Sequence, residues 1–281
     1  MRQNNEQINR QNDGFINKKK YGQARIKVIF EDNHLLVVEK PVNMLSQGDS
    51  TQDRDLLTIL KEDIKERYNK PGNVFLGLVH RLDRPVGGVM VFAKTSKAAS
   101  RLSEQIRMGE FDKKYLAVVN GKPASEKARL EHFLIKDEKT NMVKVLDNGS
   151  IILSNDNEII RNDDKRIVEG NIKGIKGNKD AKKAVLDYQV LETGDKLSLV
   201  YVNLITGRSH QIRAQFSASG CPLYGDQKYG VELNKKGQQL ALWSYKITLK
   251  HPVGKHEMSF QCNPPDAFPW NIFNSGYLIL T

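Results

Sequence analysis

Three short segments of the chain carry residue types that could do chemistry. The first is Gly77-Leu78-Val79-His80-Arg81-Leu82-Asp83-Arg84-Pro85-Val86-Gly87-Gly88. An apolar run passes through His-Arg-Leu-Asp into a Pro/Gly turn and out into a second apolar run. Asp83 is thus expected on a loop between strands, where a rigid scaffold can present a reactive group. A carboxylate there can act as nucleophile or base, and Arg81 and Arg84 beside it can meet phosphates. The same pattern also describes a turn aspartate flanked by two surface arginines. The second segment is Thr206-Gly207-Arg208-Ser209-His210-Gln211-Ile212-Arg213. A helix beginning near Arg208 would aim amide N–H groups and its positive dipole end at an anion. Positions 210, 213, 214 and 217 share one face of that helix, so Arg213 can point inward while Arg208 and His210 reach outward. An ordinary helix start with solvated basic residues has the same spelling. The third segment, Lys113-Lys114-Tyr115-Leu116-Ala117-Val118-Val119-Asn120-Gly121, alternates as a strand and puts Tyr115, Ala117 and Val119 on one face. Tyr115 could stack on a base or lie in a core with its hydroxyl bonded.

The elements that must position these residues can be read from hydrophobic periodicity. IKVIF and LLVVE, joined by Glu31-Asp32-Asn33-His34, form a hairpin signal. KPVNM follows as a loop, and DLLTILKEDIKE predicts a helix over 55–66 with Leu56, Ile59, Leu60 and Ile64 on one face. VFLGLVH and VMVFAK read as strands on either side of the Asp83 loop. A second helix is expected from Ser96, taken as its N-cap, with Ala99, Leu102, Ser103 and Ile106 as its buried stripe. KYLAVVN, LEHFLIK, MVKVL, AVLDYQVLE and LSLVYVNLI are successive strands, then a helix over 208–218, then LALWSYKITLK and HEMSF. Most connections are too short for a crossover. This indicates an α+β fold around a mixed, mainly antiparallel sheet with flanking helices.

The 281 residues allow one large domain or two modest ones. Lys and Arg number 44 against 33 Asp and Glu, and this net charge of +11 favours an anionic partner, nucleic acid first and an acidic membrane surface second. Two cysteines, Cys221 and Cys262, exclude a disulfide framework and a four-thiolate zinc site, and fit a reducing cytosol. No apolar run is long enough for a membrane span, and MRQNNEQINR lacks the apolar core of a signal peptide. Residues 1–25 hold six Lys and Arg against Glu6 and Asp13 and little to bury, so a basic, disordered arm is expected, either RNA-binding or merely solubilising. Residues 147–183 lack periodicity and end in a lysine-rich stretch, which reads as an RNA-contacting insertion or a solvated flap. His80 has no companions at metal-ligand spacing, so a structural or RNA-contact role is expected for it. Trp243 and Tyr245 alternate on a strand and read as core.

The segments also occur in a telling order. IKVIFEDNHLLVVEKPVNMLSQG at 26–48, HRLD at 80–83, KKYLAVVNG, KAVLDYQV at 183–190, TGRSHQIR at 206–213, PLYGDQKYG at 222–230 and LALWSYKITLKHP at 240–252 together resemble the pseudouridine synthases of the RluA type. The resemblance implies conversion of uridine to pseudouridine in ribosomal or transfer RNA, with no cofactor and no metal. It implies a fold with a central, mainly antiparallel sheet, flanking helices and a basic cleft. By the motif matches, Asp83 is the catalytic aspartate, Tyr115 stacks on the target uracil and helps remove its carbon-5 proton, and Arg213 is the salt-bridge partner of Asp83. His80, Arg81, Arg84, Lys114, Arg208, His210 and Gln211 are the expected RNA contacts. Two departures stand out. After HRLD many members have a polar Asp-Thr-Ser-Gly stretch where this chain reads Arg84-Pro85-Val86-Gly87-Gly88. Many members also carry a small RNA-binding domain ahead of the catalytic one, and residues 1–25 leave no room for it, so 26–281 is expected to be the catalytic domain.

The physical demands of such a reaction agree with these roles. The base must leave its stack, at about a few kcal/mol. Asp83 must be ionised, and an arginine beside it favours the charged form and, if bidentate, fixes its orientation. Lysine at 213 is therefore not equivalent. Two other functions fit parts of the pattern: a non-catalytic RNA-binding or ribosome-assembly protein on the same fold, and a metal-dependent phosphodiesterase using His80, Asp83 and His210. The expected setting is a bacterial cytoplasm and the expected state a monomer.

Overall fold

The computed structural model describes residues 14–15, 26–153, 159–160 and 181–273. In chain order its elements begin with β1 (Gly14–Phe15), β2 (Lys27–Glu31), β3 (Leu35–Lys40), α1 (Leu56–Arg67), β4 (Gly77–Leu78), β5 (Gly87–Ala93) and α2 (Ser96–Met108). They continue with β6 (Asp112–Asn120), β7 (Lys127–Asp137), β8 (Met142–Leu153), β9 (Ile159–Ile160), β10 (Lys182–Thr193), β11 (Leu197–Leu204), α3 (Gln211–Ala218), β12 (Leu242–Lys250) and β13 (Glu257–Gln261). The chain forms two compact units. One is Met1–Asp112 with Ser244–Asn263, the other Lys113–Trp243 with Pro264–Thr281.

In the first unit β1 pairs β2, β2 pairs β3, β3 pairs β5, β4 also pairs β5, and β13 pairs β12, all antiparallel. Leu35, Leu36, Val37 and Val38 face Ala93, Phe92, Val91 and Met90 across the β3–β5 ladder, and every one of these side chains is fully buried. Burial on both faces explains why the two strands are spelled as continuous apolar runs instead of alternating. The expected strand VFLGLVH is cut to two residues, Gly77 and Leu78. Helix α1 begins and ends one residue later than the predicted 55–66. The Asp55 carboxylate caps it by accepting from Thr58 N, and Leu56, Ile59, Leu60 and Ile64 are buried. Helix α2 differs from expectation in two ways. Its cap is Thr95, whose hydroxyl accepts from Ala98 N, and Ser96 is already helical. Its inner stripe is rotated to Ala98, Leu102 and Gln105, with Ser103 exposed. Gln105 is drawn inward because its amide completes both main-chain bonds of Lys250, at 2.8 and 2.9 Å.

In the second unit β6, β11, β10, β7, β8 and β9 follow one another as antiparallel neighbours. Leu116 through Val119 are all fully buried, so both faces of β6 are covered along this stretch. The polar insertion expected at 147–183 is shorter than its composition indicates: β8 continues to Leu153 opposite Arg129, and β10 resumes at Lys182 opposite Leu134. Its middle, 154–158 and 161–180, lies outside the described residues, as does the basic arm apart from Gly14 and Phe15. Helix α3 starts at Gln211, not near Arg208, because His210 takes the left-handed conformation (φ 49°, ψ 21°) and breaks the run before it. Among the described residues no helix is long and apolar enough to cross a membrane.

Candidate active site

The Asp83 loop is clamped to its unit through the main chain. His80 accepts from the Val91 amide of β5 through Nε2, at 3.0 Å, and its ring packs on Phe111. Leu82 is held at both polar groups by one hydroxyl: its N–H donates to Ser46 Oγ at 3.1 Å, and Ser46 Oγ donates to its carbonyl at 2.7 Å. The Asp83 carbonyl accepts from Val86 N at 3.0 Å and closes the turn through Arg84 and Pro85. The chain then enters β5, whose second residue, Gly88, has a φ of +115°. A Cβ there would stand 2.3 Å from the Ser244 carbonyl oxygen, so only glycine lets β5 approach this closely.

Under this loop lies a fully buried lysine. Lys40 Nζ donates to the carbonyls of Pro41 at 3.0 Å, Met44 at 2.5 Å and Arg84 at 3.1 Å. Burial pushes Lys40 down to about 7, against the pull of the Asp83 charge. Three carbonyl acceptors call for three N–H donors, which only the ammonium form supplies. In its ammonium form Lys40 ties the Asp83 turn to the loop after β3. Arg81 and Arg84 are exposed, and Arg84 pairs with Asp53 at 2.7 Å.

The second unit gathers Lys114, Tyr115, Arg208, His210, Gln211 and Arg213. Lys114 donates to Asn203 Oδ1 at 2.7 Å, opposite it on β11. Tyr115, one residue on, is buried beside Val202. Lys113 is buried too. Its Nζ lies where a Cβ on Gly207 would come within 3.1 Å, so a side chain at 207 would displace an ammonium group. Gln211 does not face a partner as expected. It is buried, its Nε2 donates to the Val185 carbonyl at 3.0 Å, and its Oε1 accepts from Thr206 Oγ1 at 2.8 Å and Arg208 N at 3.0 Å. It is the clamp of the turn ahead of α3, because both ends of its amide are already engaged. Arg208 is exposed, with Nε donating to the Lys183 carbonyl at 2.9 Å.

Arg213 is buried and bidentate. Its Nε and Nη2 donate to the two carboxylate oxygens of Asp226, each at 2.8 Å. Asp226 Oδ1 also accepts from the amides of Lys228 and Tyr229, at 2.9 and 3.1 Å. Burial raises the Asp226 carboxyl, but the Arg213 bonds and charge and the two amides outweigh it and hold the group below its usual value. The Tyr229 ring lies 5.2 Å from the guanidinium carbon. Its hydroxyl accepts from Val143 N at 2.8 Å and lies 2.8 Å from His210 Nδ1. Tyr229 thereby links the helix start at His210 to the main chain of β8. Sequence reasoning missed Asp226, Tyr229, Lys40 and Ser46. The spelling GDQKYG was noticed only as part of a resemblance, and nothing in its period says that it folds under Arg213. Among the described residues no group of His, Cys, Asp or Glu could hold a metal.

A family model described as RNA pseudouridylate synthase matches residues 34–218. Ribosomal large subunit pseudouridine synthase C of Haemophilus influenzae is 27% identical over 243 residues, covering 84% of this chain and 65% of that protein. Ribosomal large subunit pseudouridine synthase D of Buchnera aphidicola is 30% identical over 256 residues, covering 85% of this chain and 69% of the relative. An uncharacterized RNA pseudouridine synthase of Aquifex aeolicus is 30% identical over 254 residues, covering 86% and 71%. The chain thus spans about two thirds of the length of these curated relatives. Among solved structures, human RNA pseudouridylate synthase domain containing 4 superposes with a TM-score of 0.63 at 23% identity, covering 85% of this chain and 88% of that one. Human RNA pseudouridylate synthase domain containing 1 gives 0.60 at 20% identity, covering 87% and 85%. These two share the fold. The match over 34–218, from β3 to the end of α3, means that the chain belongs to the RNA pseudouridylate synthase family.

Proposed function

We propose that the protein isomerises uridine to pseudouridine in ribosomal large-subunit RNA, in the cytoplasm, as a monomer and without metal or cofactor. The observation that supports this best is the family match, whose span contains Asp83, Tyr115 and Arg213. The names of the Haemophilus and Buchnera relatives point to the large-subunit target. In the reaction the N-glycosidic bond breaks, the base turns within the site, and carbon 5 bonds to carbon 1′ of the ribose while its proton leaves. Asp83 starts the reaction as an ionised carboxylate. Arg213 pairs with it and fixes its orientation. Tyr115 stacks on the flipped uracil and assists removal of the carbon-5 proton. The exposed Arg81, Arg84 and Arg208 meet phosphates.

The test is tritium release from bulk RNA labelled at uracil carbon 5, taken from cells lacking this protein, with chelator present throughout. Wild type should release tritium and Asp83→Ala should not. Binding of RNA without release by wild type would replace this reading with that of a non-catalytic RNA-binding protein. RNA strands cut only when the chelator is left out would point to a phosphodiesterase.

A further inference from the structure

We propose that Asp226 is the positioning residue of Arg213. It captures the Nε–Nη2 edge of the guanidinium and thereby sets the direction in which the remaining Nη1 edge is presented to substrate-side groups. This rests on the uridine-isomerising reading above, in which Arg213 serves the reacting aspartate.

The geometry is that of a fork held on both tines. Two parallel bonds of 2.8 Å fix the plane of the guanidinium as well as its place. Asp226 in turn cannot swing. Its Oδ1 is bonded by two amides, its N–H donates to the Leu223 carbonyl at 3.2 Å, and its carbonyl accepts from Asn234 Nδ2 at 3.3 Å. The Tyr229 ring covers one face of the guanidinium. The carboxylate is fully buried and the arginine nearly so. As a stability device such a pair is a poor choice, since apolar residues of similar volume would serve as well or better. Its use is geometric. A guanidinium has five N–H donors in a rigid planar frame, and a carboxylate on one edge leaves the opposite edge pointing in a single direction. The pair is also neutral as a whole, so Arg213 acts on its substrate-side partner chiefly through directed hydrogen bonds.

The experiment is a double-mutant cycle on single-turnover tritium release at saturating RNA, with Asp226→Asn, Arg213→Ala and the double variant. Asp226→Asn is expected to slow release on the order of a hundredfold, the effect of misplacing a catalytic contact by about an ångström, with RNA affinity at the wild-type value. In the Arg213→Ala background it should slow release no further, because its effect passes through the arginine. Gln238→Ala is the control, since it loosens the same loop by removing bonds to Lys235 N and the Tyr224 hydroxyl without touching Asp226. It should lower the melting temperature and leave the release rate of the folded protein unchanged. Additive losses in the double variant, or equal losses for Asp226→Asn and Gln238→Ala, would make Asp226 a merely structural residue and overturn the proposal. Where Asp226→Asn does not fold, Asp226→Glu replaces it, with its carboxylate shifted by one methylene. Failure of both to fold also overturns the assignment. A wild type that releases no tritium defeats the underlying reading instead, and is recognised before any variant is made.

Discussion

The Asp83 loop and the Arg213 helix start solve the same problem in different materials. Asp83 sits on a half-buried turn whose main chain is gripped by the side chains of Lys40 and Ser46, while the His80 ring just ahead of it accepts from the Val91 amide of β5. Arg213 is gripped by its own head group, through Asp226 and the Tyr229 ring. A group held through its main chain keeps its side chain available to chemistry. A group held through its head is fixed in direction but shares its donors. The first arrangement suits a reacting atom and the second suits an orienting one.

The sharpest way to break the first arrangement is at Gly88. Gly88→Ala puts a Cβ 2.3 Å from the Ser244 carbonyl at a φ of +115°. Overpacking and left-handed strain together should cost about 3–5 kcal/mol. Urea unfolding should show that loss, and a variant of wild-type stability would mean that β5 does not depend on this close approach. Next in size are the two clamps. Ser46→Ala strands the N–H and carbonyl of Leu82, and Gln211→Ala strands Arg208 N and one acceptor bond at Val185. Each should cost about 2–3 kcal/mol, the penalty for buried polar groups left unsatisfied. The Val185 carbonyl keeps a second donor, Thr206 N, so Ser46→Ala should be the worse of the two. The reverse order would show that the helix start is the more tightly bound region.

What could be read in advance follows the same division. The β3 and β5 runs, the buried face of α1 and the loop position of Asp83 were legible, because local periodicity decides them. The Asp226–Arg213 pair was not. It joins residues on opposite sides of a turn, and it depends on the left-handed backbone at His210 and on Gly225, where a Cβ would meet the Gln239 carbonyl at 2.1 Å. No period of the chain encodes such a convergence. Lys40 was passed over because a lysine in a Pro-containing loop is ordinarily solvated, and its burial is set by carbonyls from two separate loops. Gln211 was placed on the RNA side because a polar residue at a helix start reads as exposed until its three internal partners are known.

Lys40 allows the main-chain grip to be tuned by pH. Its value in the fold is about 7, against about 10.4 in an unfolded chain. Below 7 both states hold the proton, and the penalty of burying the ammonium is fully present. Between 7 and the unfolded value the unfolded chain binds more protons than the folded one, so stability rises with pH across that window. Lys40→Met has no such group. The stability of wild type minus that of Lys40→Met should therefore climb by about 1.4 kcal/mol from pH 6 to 8. Guanidinium unfolding of both proteins at pH 6, 7 and 8 measures it. A flat difference would mean that the three carbonyls keep Lys40 charged throughout.

The smallest expected effect on stability tests whether the exposed arginines of the Asp83 loop belong to the scaffold or to the partner. Arg84 and Asp53 form an ion pair in which both side chains are about half exposed. Such pairs contribute roughly 0–1 kcal/mol, so Arg84→Ala should unfold within about 0.5 kcal/mol of wild type. Its effect on RNA should be larger. If Arg84 meets a phosphate, the variant binds all RNAs more weakly by a similar factor, and the slope of log affinity against log salt falls by about 1. Arg67→Ala supplies the contrast, because Arg67 is tied to Glu31 and Asp63 within its own unit. It should lose stability and keep the wild-type salt slope. An unchanged slope for Arg84→Ala would return Arg84 to the scaffold, and the loop would then meet RNA through Arg81 alone of its two arginines.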